Sequence, residues 1–326
     1  MNTAQRSYGQ LLVIVLVATI AIVFAWSSPT LLDILLMMGV TSTLAVSLGL
    51  VYGQAGMLSL AQAALATVGA YTTALITIRL EVSPWIGLIM AMLVPAAIGY
   101  LLARTVVRLS TLALGVATLL FAEIVIFGIS AGGAFTGGFI GITGIPSAPL
   151  LESRQAQVIA VWVLVILCVL IVILISRSQS GRALRVISRD HVLARSLGID
   201  VPGRLGFIFA LGAGMAGAAG WVYAHTHSFL GPTSLPILLS LEVLMMVILG
   251  GKRTFLGPVL GVVVLTIIVE LLPWEGLHGL FYGGALILAL LLFPEGILGS
   301  NWRRFFRWKK RKDEPAKPTI GEEEST

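Results

Sequence analysis

The sequence predicts an all-α, polytopic membrane protein of about ten transmembrane helices. Two compositional facts point there: 57% of the 326 residues are hydrophobic and only 11% are charged, against roughly 25% charged in soluble domains. Mean hydropathy is +1.00. A third observation is the recurrence, from Leu11 to Phe293, of apolar runs of about 20 residues, the length that spans a bilayer. No stretch between them is long enough to fold separately in water, so an ordinary soluble enzyme is excluded. The single cysteine, Cys168, lies inside an apolar run. It can form no intramolecular disulfide or Cys-rich metal site and reads as a packing residue.

Taken in order, the runs between charges and Gly/Pro breaks give spans at 9–26, 31–50, 57–78, 86–103, 110–129, 156–176, 205–225, 234–249, 255–272 and 277–293. The first is read as a span rather than a cleaved signal, because Trp26-Ser27-Ser28-Pro29 offers no small-x-small cleavage site. Ten spans put both termini on one side. With that side cytoplasmic, all of the 21 basic residues except Arg79 and Arg154 fall inside, as the positive-inside rule requires. The net charge of +6 then belongs to the cytoplasmic leaflet of an inner (plasma) membrane, not to a nucleic-acid partner. Residues 1–300 form one membrane domain. In the tail, 301–326, WRRFFRWKKRK from Trp302 suits an anionic headgroup layer of membrane lipid, and DEPAKPTIGEEEST lacks apolar periodicity and is expected to be disordered.

Thirty-six glycines, several in small-xxx-small pairs such as Gly49/Gly53, Gly257/Gly261 and Gly279/Gly283, predict close helix packing. Three stretches depart from simple spans. Gly53, Gln54 and Gly56 interrupt the third apolar run, which then carries Ser59 and Gln62; irregular backbone at membrane depth is tolerated only inside protein or against a cavity. Residues 131–150 form a Gly-rich outer loop, too apolar for a free linker and expected to fold back on the bundle. Residues 250–258 form a tight inner turn.

Between spans six and seven, residues 177–204 make the longest internal cytoplasmic segment. Arg182, Arg185 and Arg189 fall on one side of a helix and Leu184, Ile187 and Ala194 roughly opposite. Ser180 can cap its start, and Gly198 with Pro202 can end it. Such a helix either lies in the headgroup layer or docks a cytoplasmic partner.

The chain lacks a nucleotide-binding phosphate loop: Gly251-Lys252 is followed by Arg253, and Met246 stands where the first glycine belongs. His191, His225, His227 and His278 form no HExxH pattern, and none is read as a metal ligand. Glu123 and Glu242 lie within spans, Asp33 and Glu270 near span ends; intramembrane carboxylates are candidate functional groups because charge there is costly. Glu242 can be neutral, paired with an arginine, or capping unwound backbone. A stand-alone secondary carrier needs a denser set of carboxylates, and an intramembrane enzyme needs a nucleophile-base or metal constellation.

Four blocks, GQAGMLSLAQAALATVGAY from Gly53, TGGFIGITGIP from Thr136, GRALRVISRDHVLARSLGID from Gly181 and SLEVLMMVILGGKRTFLGPVLG from Ser240, resemble the permease subunits of branched-chain amino acid ABC importers, of the LivM type. The chain departs from the family pattern at Phe139-Ile140, at Lys252-Arg253-Thr254, and at Val192-Leu193-Ala194, which stand at the Glu-Ala-Ala position of the coupling motif. The resemblance implies an ABC importer transmembrane domain that is not itself an enzyme and holds no cofactor. ATP and Mg would sit on two cytoplasmic ATPase subunits, beside a second permease and an external solute-binding protein. The caps, amphipathicity and length of Gly181–Gly198, with Arg182, Leu184, Arg185, Ile187, Ala194 and Gly198, make it the expected coupling segment at the ATPase. The hydrogen-bonding groups of Gln54, Ser59 and Gln62 with the carboxylate of Glu242 are expected to line or gate the substrate pathway, helix packing being the alternative. Branched-chain amino acids are the expected cargo, with urea or short amides as the alternative.

Overall fold

The computed structural model describes residues 3–106, 109–251, 254–270 and 284. Helices α1 (Thr3–Ala25) and α2 (Pro29–Leu48) are joined by a short turn, with Pro29 at the first position of α2, where its missing N–H costs nothing. A π-helical turn, Gly49–Gln54, prolongs α2. After extended backbone come α3 (Gln62–Arg79), α4 (Pro84–Val106) and α5 (Thr111–Ala131). The expected Gly-rich loop follows and contains strand β1 (Ile142–Thr143); then come α6 (Arg154–Arg177), α7 (Gln179–Ile187), α8 (His191–Ser196), α9 (Val201–His227), strand β2 (Phe229–Leu230), α10 (Ile237–Gly250) and α11 (Gly257–Glu270).

Nine of the ten expected spans therefore coincide with helices. The tenth, 277–293, the Gly279/Gly283 pair and the tail at 301–326 lie outside the described residues. Among the described residues, five helical segments, Pro29–Gln54, α4, α5, α6 and α9, are long and apolar enough to cross a membrane. Helix α10 has 14 residues, about 21 Å at 1.5 Å per residue, less than a hydrocarbon core, and α11 is described as far as Glu270. The expected third span, 57–78, is corrected: helix begins only at Gln62.

Helix α9 is the most enclosed of the five long segments, packed between α3, α4 and α2. Its glycines allow this. A Cβ on Gly217 would overlap the carbonyl of Ala91 in α4, and one on Gly220 the carbonyl of Ala66 in α3, so helix backbones touch where lipid offers no hydrophobic drive for association. Gly261 of α11 meets the Met246 carbonyl of α10 in the same way.

The loop does fold back. β1 pairs antiparallel with β2, Ile142 opposite Leu230, and Ile145 is buried in a small cluster with Tyr71, Ile129 and Leu230. The two basic residues expected outside both fasten this end. Arg79 donates to the carbonyls of Ala134 (2.7 Å) and Phe135 (2.9 Å), while Arg154 bridges Asp33 at 2.5 Å and donates to Gln157 Oε1 at 2.8 Å. His225 joins them, contacting Thr73 Oγ1 at 2.9 Å and the Pro146 carbonyl at 2.7 Å. It is a fastener between α9, α3 and the loop.

At the opposite end, residues 177–204, a length that admits a helix or two, hold α7 and α8. Ser178, not Ser180, caps α7 by accepting from Gly181 N; Ser180 instead accepts from Arg204. Ser188 ends α7, and Asp190 caps α8, its Oδ1 accepting from Val192 N at 2.7 Å and Leu193 N at 3.1 Å. Gly198, at φ +74, closes α8 in the left-handed region that glycine enters without strain.

Candidate functional site

The site grows from the break between α2 and α3. A π-turn inserts an extra residue into the helical repeat, and here it carries Gly49 and Gly53. Gly56, at φ +77, turns the chain, and residues 57–61 run back into the bundle without helix. Helix α3 thus starts among other helices: Gln62 is fully buried.

A helix start leaves N–H groups without intrahelical partners, and in a buried place each must find one. Neighbouring helices supply them. Leu60 N donates to Thr118 Oγ1 of α5 at 2.9 Å, and Ala63 N to Ser240 Oγ of α10 at 2.9 Å, while Ser59 Oγ accepts from Ala61 N at 3.3 Å. Ser47 of α2 has one hydroxyl proton shared between Gln62 Oε1 (2.6 Å) and the Gly212 carbonyl of α9 (3.0 Å). Gln62 Nε2 and Ser42 Oγ are buried without a hydrogen-bond partner among the described residues. The result is a buried polar layer with spare donor and acceptor capacity in an apolar bundle.

Beneath it, toward the α7–α8 end, lies a cavity of about 510 Å³ lined by Tyr52, Gly53, Gln54, Gly56, Thr111, Arg185 and Phe255, among others. Arg189, Ser188 and Gly181 complete the wall on the α7 side. Of the expected pathway residues, Gln54 faces this cavity. Ser59 and Gln62 sit in the polar layer, and Glu242 is half-buried on α10, two residues beyond Ser240. Spacing had singled out Ser59 and Gln62; Ser47, Thr118 and Ser240, which complete the layer, were missed. Their signal is a hydroxyl in the middle of an otherwise apolar run.

The expected coupling residues divide by face. Arg182 and Arg185 are on the outer face of α7, with Arg185 donating to the Ser176 carbonyl at 2.9 Å. Leu184, Ile187 and Ala194 are buried in the main core. This corrects the sequence reading of the apolar stripe. It covers the bundle, and neither lipid headgroups nor a partner can reach it. What α8 does present outward is Val192, Leu193 and Leu197, at 76%, 50% and 63% exposure.

Comparison with known proteins gives one consistent result. A family model described as branched-chain amino acid transport system / permease component matches residues 30–292. The chain is 30% identical over 315 residues to the high-affinity branched-chain amino acid transport system permease protein LivM of Salmonella typhimurium, covering 87% of this chain and 74% of that protein. The corresponding Escherichia coli protein matches to the same extent. A probable branched-chain amino acid transport permease protein LivH of Methanocaldococcus jannaschii is 25% identical over 288 residues, 81% of this chain and 90% of that protein.

Proposed function

The chain belongs to the branched-chain amino acid transport permease family, and from that premise we propose that it is one membrane-spanning half of an ATP-driven importer. It is a multi-pass membrane transport component. In this reading residues 1–300 are the permease domain, 301–326 a cytoplasmic tail, and both termini are cytoplasmic, as the distribution of arginine and lysine supports. A solute-binding protein delivers a branched-chain amino acid at the loop end. A second permease completes the path, and two ATPase subunits, which hold ATP and Mg, drive it through alternating access.

The observation that carries this reading is a shared wall. Gln54 and the α7 residues Gly181, Arg185 and Ser188 line the same cavity, so a push on the α7–α8 pair reaches the path without an intermediary. The exposed Val192, Leu193 and Leu197 of α8 are the surface offered to an ATPase subunit, with Arg182 beside them and Leu184, Ile187 and Ala194 fixing the pair to the bundle. Gln54, Ser59, Gln62 and Glu242 serve the cargo with weak polar contacts; a path must bind loosely enough to release. Gln62 Nε2, buried and without a partner among the described residues, becomes a donor for a passing carboxylate when the path opens.

The test is uptake of radiolabelled leucine and urea by cells with and without this gene, repeated with Gln54→Ala. Gene-dependent leucine uptake, reduced severalfold in the variant, is expected. Gene-dependent urea uptake without leucine uptake would assign the cargo to the short amides, and uptake without any ATP requirement would make the chain a secondary carrier.

A further inference from the structure

Helix α5 presents outward a stripe at positions i, i+4, i+7 and i+11: Val116, Leu120, Glu123 and Phe127, all exposed. Glu123 lies twelve residues into a helix of 21, about 18 Å along an axis of roughly 31 Å, so it is near mid-depth. It makes no ion pair or hydrogen bond among the described residues. The outward faces of the other long spans differ. On α4 the exposed residues include Trp85, Ile86, Ile89, Leu93 and Leu101, and on α6 Ile159, Val163, Leu167 and Leu174; these are faces made for hydrocarbon. Asp33, the exposed carboxylate of α2, is near that helix's end and paired with Arg154. A carboxylate near mid-depth faces protein or water rather than hydrocarbon. Helix α5 also starts at the cavity, which Thr111 lines, and within the bundle it packs mainly on α3, leaving its other side open.

We propose that Glu123 faces a water-filled path on the seam between α5 and a second membrane subunit, not lipid. The inference rests on the two-permease reading above and deepens it: Val116, Leu120 and Phe127 supply apolar contacts for the partner's helix. Glu123 supplies a fixed negative charge, about 18 Å above the cavity rim, that attracts the ammonium group of a zwitterionic cargo and repels free anions.

The complete transporter in membrane vesicles is the sample, and a charged, membrane-impermeant methanethiosulfonate is the probe. The native chain is the blank, because Cys168 is buried. Glu123→Cys and Phe127→Cys are compared with Leu93→Cys and Ile89→Cys on the lipid face of α4. The expected result is labelling of Glu123→Cys at least tenfold faster than of the α4 variants; equal rates overturn the proposal. Labelling needs no transport, so this outcome is independent of whether leucine is the cargo. In uptake, Glu123→Leu should lose at least tenfold and Glu123→Asp should keep most activity. Full uptake by Glu123→Leu overturns the proposal as well, since a lipid-facing carboxylate is dispensable.

Discussion

Replacing Ser240 with alanine removes one oxygen from the centre of the molecule and leaves the Ala63 N–H, which it accepts at 2.9 Å, with no partner from α10. The serine is fully buried, so water cannot take its place. An orphaned buried donor costs about 1–3 kcal/mol, whereas hydrogen bonds between membrane helices average about 0.6 kcal/mol when removed. The second figure is small because the chain unfolded in the membrane also finds partners, whereas Ala63 lies in the first turn of α3, where the N–H has no intrahelical partner to fall back on. The upper range therefore applies, about 1–2 kcal/mol for Ser240→Ala, and about twice that with Thr118→Val, which strips Leu60 N at the same helix start. At about 2–4 °C per kcal/mol for a large domain, melting of purified protein in detergent should fall by roughly 2–8 °C for the single variant. For the double variant the drop should be about twice as large, and any departure from the sum measures the coupling of two hydroxyls that hold one helix start. Unchanged melting in both would mean that the N–H groups are satisfied some other way and that the buried polar layer is not what positions α3.

Leu193→Glu or Leu197→Glu, both at exposed positions, should leave the subunit inserted and folded while releasing the ATPase subunit, read by co-purification. Ile187→Ala, fully buried, should instead lower the melting temperature of the permease itself, by an amount corresponding to about 2–4 kcal/mol. Gly220→Leu drives a side chain into the Ala66 carbonyl and should abolish accumulation of folded protein on fluorescence-detected gel filtration, whereas Gly128→Leu, where a Cβ meets open space, should not.

The spans were legible because hydropathy is a local property: twenty apolar residues in a row identify themselves. The Gly-rich interruption at Gly53 and Gly56 was legible for the same reason. The start of α3 was not, because what satisfies it comes from Thr118 and Ser240, 58 and 177 residues away from the groups they cap, and no sequence spacing encodes that meeting. Periodicity found the apolar stripe of α7 at Leu184 and Ile187 but is silent on what covers a stripe. Only the packing shows that it is the chain's own bundle, and that Val192 and Leu193 stay exposed.

That arrangement makes α7 and α8 a lever whose fulcrum is part of the permease. Close-packed interiors compress very little, and Leu184, Ile187 and Ala194 are seated without slack in the core. A force applied to the outer side of α8 is therefore transmitted rather than absorbed. In the proposed importer, a stroke on α8 would then be passed to the ends of α6 and α9, with the Arg185 link to the Ser176 carbonyl tying α7 to the end of α6.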